Sequence, residues 1–231
     1  MWAALLAAAC AVEAQPQMAL TAALRAQRGD LAEVCCTSDS ILTESVRQHG
    51  GIADRFSHWN GYDLSTKKGT DKVLADIRHK RYRYAWFSPP CGPDSAIQNC
   101  NQRTEEQREA LQVKRVRSHR IQRNIKRIFL ELAREGVTVP LVEQPGSCGS
   151  LRGELLPIRE QFLTGKTHGC AWDMRDPKTG LLIKKSWHIL SPSAKIAAFF
   201  NSRKCPNTKD NLVHEHKTIE GSLTSLSASY P

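Results

Sequence analysis

The chain has 231 residues, which at roughly 150 residues per domain means one large domain or one domain with a small annex. Hydrophobic residues make up 40% and charged residues 24%, which excludes a largely disordered chain, and past residue 20 no apolar run approaches the roughly 20 residues that span a bilayer. Lys and Arg number 33 against 23 Asp and Glu, a net charge of +10 that favours a polyanionic partner such as nucleic acid over a membrane.

Residues 1–29 open with WAALLAAACAV and continue with MALTAALRAQRG. This reads as an Ala-rich helix, since Ala is the best helix former. A secretory leader is the other reading, although no Lys or Arg precedes the apolar stretch. Residues 31–36 (LAEVCC) read as a short buried strand. Thr37-Ser38-Asp39-Ser40 is a turn with N-cap chemistry, and 41–49 reads as a helix ended by Gly50-Gly51. A second strand is predicted over 52–59, a helix over 70–79, and an aromatic strand over 82–87 (YRYAWF) that stops at Ser88-Pro89-Pro90. A long helix is predicted over 104–135. The segment 137–142 (VTVPLV) is strand-like, with Pro140 awkward inside it.

After residue 150 the pattern changes. Residues 151–163 read as helical but broken by Pro157; 170–174 and 187–190 look like short strands, with the turn DPKTG between them; 194–200 reads as a helix. The chain stops at Tyr230-Pro231 without an obvious cap, which suggests a piece of something longer.

Strands separated by helices point to βαβ units and a parallel sheet, whose ligand site lies beyond the carboxyl ends of the strands. Three segments fall at such ends: 37–40, 88–95 and 143–146. In the second, Cys91 follows two prolines, which fix φ and remove two donors, so the thiol sits on a stiff loop. A thiolate there is a strong nucleophile; a proline-rich turn with an incidental Cys is the plain alternative. In the third, Glu143 faces the same crevice if both strands are central, or else is a solvated turn residue.

The order LAEVCCTSDS, GYDL, SPPCGP, VEQP resembles the core of the cytosine-C5 DNA methyltransferases. The resemblance implies an α/β, Rossmann-like fold of the class I methyltransferase type: a mostly parallel sheet with helices on both faces. Residues 30–165 would be the core, and 166–231 a small C-terminal annex completing it. It implies S-adenosylmethionine as cofactor, DNA as partner, Cys91 as the nucleophile and Glu143 as the acid that holds the base. Cys36, Ser38, Asp39, Asp63, Ser88 and Pro89 would border the cofactor, with Asp63 near its adenine. The tail, from CAWDMRDPKTG onward, resembles divergent copies in mobile-element polyproteins of dinoflagellate-type genomes. The chain departs from the family at the turn 36–40, which lacks glycine, at Gly92, where Gln is usual, and in lacking a Gln-x-Arg-x-Arg motif. These departures make a catalytically inactive nucleic-acid-binding module the alternative expectation.

Two further patterns stand out. Residues 113–127 (VKRVRSHRIQRNIKR) carry Lys114, Arg115, Arg117, Arg120, Arg123, Lys126 and Arg127 with no acidic residue. Ile121, Ile125, Ile128, Phe129 and Leu132 form an apolar stripe at helical spacing, so the cations would cover the other faces as a phosphate-tracking surface. A solvated helix face is the alternative. Cys170, Cys205, His214 and His216, with His168 nearby, offer ligand atoms for zinc, but their spacing fits no standard zinc module, so no metal is favoured. The eight cysteines, Cys10 and Cys100 among them, are irregularly spaced, and most read as reduced thiols of an intracellular protein, with a secreted disulfide framework the lesser reading; the resemblance to DNA methyltransferases implies a nuclear one.

Overall fold

The computed structural model describes residues 28–95, 98, 104–208 and 211–217. The predicted N-terminal helix or leader therefore lies outside the described residues, as do Cys10 and Cys100.

The first half alternates strand and helix as expected. Strand β1 (Leu31–Val34) leads through helix α1 (Ile41–Gln48) to β2 (Ala53–Phe56), then through α2 (Lys67–Lys80) to β3 (Tyr84–Phe87). Helix α3 (Glu105–Glu135) leads to β4 (Val139–Pro145). The limits of α3 follow from its ends. Thr104 caps it, its hydroxyl accepting from Gln107 N, and Gly136 ends it at φ 68°, where a side chain would be strained. All five residues of its predicted apolar stripe are buried.

The main sheet runs in the order β2-β1-β3-β4-β7-β5. The first four strands are parallel. Strand β7 (Ser186–Ser191) runs antiparallel to both β4 and β5 (Leu163–His168). Two apolar clusters cover the two faces. On one, α2, α3 and the short helix α4 (Leu156–Gln161) pack on Ala32, Val34, Ala85, Phe87 and Val142. On the other, α1 and α5 (Ala194–Asn201) pack on Leu31, Tyr84, Trp86 and Leu141. The alternation of these strand residues is the two-residue period of β-structure. The fold is thus α/β and Rossmann-like, with helices on both faces.

Pro140 is buried in β4, opposite Ala85 of β3. Val139 N donates toward β3, to Arg83 O at 2.9 Å, so the imino position of Pro140 faces the other way. Strand β7 begins to pair with β4 only at Val142, so no ladder bond is lost.

The second half corrects several expectations. Residues 151–163 form a 3-10 turn (Gly149–Arg152) and then α4, with Pro157 in its first turn rather than breaking it. The segment 170–174 is not a strand but a 3-10 turn (Gly169–Trp172) closed by Asp173 at φ 58°. Strand β5, sequence LTGKTH, was not expected: it is short, polar and at the sheet edge, so it lacks the apolar alternation that marks a strand. The boundary at 165 falls inside β5, and β7 pairs directly with β4, so the C-terminal segment shares the sheet of the core. Strands β6 (Leu182–Ile183) and β8 (His216–Lys217) form a separate two-stranded ladder.

Candidate active site

From β1 the chain passes to β2 on one side and then to β3 on the other. This reversal opens a crevice between the carboxyl ends of β1 and β3, the place where α/β sheets bind ligands. The Pro-Pro-Cys loop leaves β3 there. Ser88 N donates to Val34 O at 3.1 Å, prolonging the β1–β3 pairing by one bond. Pro89 and Pro90 cannot donate, but their carbonyls are held. Pro89 O accepts from Gln144 Nε2 at 2.7 Å and Pro90 O from Ser118 Oγ at 3.2 Å. Asp94, three residues past Cys91, accepts from Gln122 Nε2 at 2.6 Å and Ser118 Oγ at 3.1 Å, and pairs with His119 at 2.9 Å. Arg115 Nε donates to Pro93 O at 3.0 Å. The loop is therefore clamped from β4 and from α3.

Cys91 and Glu143 line one cavity of about 420 Å³, together with Lys185 and Trp187 from the start of β7. Cys91 is half-buried; Glu143 is buried, 8% exposed. Burial pushes the Cys91 thiol up to about 11, the charges of Cys148 and Glu143 add to this, and Lys185 opposes it. Burial in turn lowers the Lys185 ammonium, against the pull of Glu143 and Cys91. A thiol, a carboxylate and a lysine are thus within electrostatic reach of one another. Lys185 had no signal in the sequence, where Lys184-Lys185 reads as a polar loop.

A second cavity, of about 380 Å³, adjoins the first and shares Cys35, Cys36, Thr37 and Pro90 with it. It holds Tyr62, Asp63 and Leu64 beyond the end of β2. Asp63 is set by an Asx turn, Ser65 N donating to its Oδ1 at 2.9 Å, and by Gly69 of α2. A Cβ on Gly69 would stand 2.1 Å from Asp63 O, so only glycine allows this approach. Burial pushes the Asp63 carboxyl up, but the Ser65 hydrogen bonds and the nearby Arg117 and His58 outweigh it and hold it below the ordinary range.

The predicted cofactor residues divide between the two cavities. Cys36 lines both, and Asp63 the second; Asp39, Ser88 and Pro89 line the one with Cys91, and Ser38 lines neither. The glycine-free turn has a conformation of its own. Cys35 leaves β1 at φ 64°, the left-handed region that glycine usually supplies. Glu33, which sequence reasoning passed over, fastens the far side of this turn. Its buried carboxylate accepts from Ser40 Oγ and Thr43 Oγ1, each at 2.5 Å, and from Thr43 N at 3.2 Å. Ser40 is at the cap position of α1, but its hydroxyl serves Glu33 instead of the helix.

The basic face of α3 is less free than its sequence suggests. Arg115 holds Pro93 as described. Arg117 faces Asp63 at 3.6 Å and Arg123 faces Glu154 at 3.2 Å. Arg127 bridges Asp71 and Glu131. These acids come from elsewhere in the fold, beyond the basic stretch itself. Among the described residues no ion pair joins Lys114 or Arg120 to an acid, and both are exposed.

Cys170, Cys205, His214 and His216 converge, their ligand atoms all within 4.8 Å of one another. All six described cysteines are free thiols. No described helix is long and apolar enough to cross a membrane. Neither a protein-family model nor a curated protein sequence matches the chain.

Proposed function

We propose that the chain is an S-adenosylmethionine-dependent cytosine-C5 methyltransferase-like protein acting on DNA in the nucleus. One observation carries the reading: Cys91 and Glu143 meet in one cavity at the strand ends, and that cavity opens into the one that holds Asp63. The second cavity fits the cofactor in kind. Its volume lies in the range of small-molecule sites, Leu64 and Ile121 offer apolar walls, and Asp63 offers an acceptor for sugar hydroxyls. Held there, the cofactor supplies an electrophilic methyl group.

The chain's own residues would do the rest. Cys91 Sγ bonds to C6 of the cytosine as its proton leaves to water. Glu143 would hold a proton against N3, which lets the electron pair reach C5 and readies that carbon for methylation. Water then removes the C5 proton, the S–C6 bond breaks, and the thiolate is regained. Lys185 would steady the thiolate before it attacks and again when the S–C6 bond breaks. The clamp on residues 88–94 fixes the nucleophile, which matters because small misplacements cost large factors in rate. The target base must leave the duplex to reach this crevice.

A second reading, a catalytically inactive nucleic-acid-binding module, draws on the neutral Cys91 thiol and on Cys35 where a glycine would open the turn. Calorimetric titration with S-adenosylmethionine and S-adenosylhomocysteine separates the two. Micromolar binding, with methyl transfer to DNA that Cys91→Ala and Glu143→Gln abolish, supports the enzyme. Absence of binding overturns it in favour of the inactive module.

A further inference from the structure

We infer that Cys170, Cys205, His214 and His216 form a closed tetrahedral zinc site that ties Cys205 and the β8 region to the turn holding Cys170. Their sequence separations carry no recognisable pattern, yet the fold brings all four ligand atoms within 4.8 Å of one another.

The S···N distances are close to those of a coordination shell, and the N···N distance is shorter. Zn–S bonds near 2.3 Å and Zn–N bonds near 2.0–2.1 Å, set at tetrahedral angles, imply S···N edges of about 3.6 Å and an N···N edge of about 3.3 Å. Cys205 Sγ lies 3.7 Å from His214 Nε2 and 3.4 Å from His216 Nε2, and the two nitrogens are 2.9 Å apart. Both rings present the same nitrogen to the same point. At this separation one ring's N–H can donate to the other's lone pair, and a cation between them would take both lone pairs with a small widening of the pair.

The chain builds this convergence deliberately. His216 opens β8, and His214 lies two residues before it at a bend, which brings both rings to one point. Asn207 holds the loop that returns them: its Nδ2 donates to His214 O at 2.6 Å, and its Oδ1 accepts from Val213 N at 3.1 Å and His214 N at 3.2 Å. Cys205 is fixed in turn, its backbone N donating to His168 Nδ1 at 2.8 Å. Cys170 is buried in the 3-10 turn after β5, where Gly169 N donates to Lys185 O at 2.7 Å.

Four protein ligands leave no open position, so the site is structural. Without it the segment has little to hold it: β6 and β8 pair over two residues each, far below a ladder that is stable alone. The inference does not depend on methyl transfer.

The test uses the full chain, purified under reducing conditions, stripped with EDTA and titrated with Co(II), then Zn(II). A thiolate-to-cobalt charge-transfer band with intense tetrahedral d–d bands, saturating at about one cobalt per chain and displaced by zinc, supports the site. Cys205→Ser and His216→Ala should each weaken binding by more than the roughly 10–100-fold that loss of an outer-shell partner costs. Weak octahedral bands in the wild-type chain would overturn the inference, and this readout needs no variant to fold. So would full affinity in folded forms of both variants, or a Cys170–Cys205 disulfide in the reduced preparation.

Discussion

Reactivity of the Cys91 thiol offers the most direct test of the crevice. Burial raises it from an ordinary value of 9.0 to about 11. Two pKa units leave about 100-fold less thiolate at pH 7.5 than an unperturbed thiol has. A more basic thiolate is also more nucleophilic, by a Brønsted slope of about 0.4–0.5, which returns about 6–10-fold. The net expectation is attack on a small aromatic disulfide about 10–15-fold slower than by an unperturbed thiol, with a rate that climbs until about pH 11. Site-resolved mass spectrometry of the modified peptide distinguishes Cys91 from the other cysteines. Lys185→Met removes the one nearby cation that opposes the rise, so its profile should move further up the pH scale. A half-point at or below pH 9, or no displacement in Lys185→Met, would refute the described electrostatics.

Three other outcomes follow. Cys35→Gly should change the unfolding free energy by no more than about 1 kcal/mol, because relief of a left-handed residue, about 1–2 kcal/mol, offsets lost packing of the thiol. The same variant should bind S-adenosylhomocysteine more tightly than wild type, since the side chain stands where the two cavities meet; weaker binding in calorimetry would contradict this. In DNA binding, Lys114→Ala and Arg120→Ala should each lower the slope of log affinity against log salt by about 0.9, whereas Arg127→Ala, already satisfied by Asp71 and Glu131, should leave it unchanged. His188 is half-buried on β7, and its partial burial lowers its pKa, followed by the charges of Lys166, Arg159 and His168. Below about pH 6.5 the unfolded chain takes up a proton that the folded chain refuses, so stability is full above that value and declines as pH falls toward the folded pKa. Urea midpoints across pH 7.5 to 5 should show a shallower decline in His188→Gln.

The first half of the fold was legible because its signals are local. Thr104, Gly136 and the Ile121–Ile125–Phe129 spacing define α3 by themselves. The Pro-Pro-Cys loop announced a stiff strand end, and its partner Glu143 followed from the parallel arrangement. Other features depend on contacts distant in sequence. Gly-Lys-Thr in β5 shows no strand pattern, and its pairing comes from β7 alone. Asp63, Glu154 and Asp71, which pair with Arg117, Arg123 and Arg127, lie outside α3, and Glu131 lies past the basic stretch on the same helix, so charge counted along one stretch overstates its free surface. Left-handed Cys35 was hidden because its residue type argues against that conformation. Spacing says nothing about the four clustered Cys and His residues, because 34 residues separate the first two.

The reversed strand β7 also has a consequence for how the molecule is made. Strand β4 carries the buried residues Leu141 and Val142 and is roofed on its open side only by β7. Until the ribosome has delivered residues past 191, β4 is an unpaired apolar edge, a ready template for another chain. The recombinant fragment 30–165 should therefore self-associate during expression. The reactive crevice would likewise be assembled last, since Lys185 and Trp187 arrive with the strand that seals that edge.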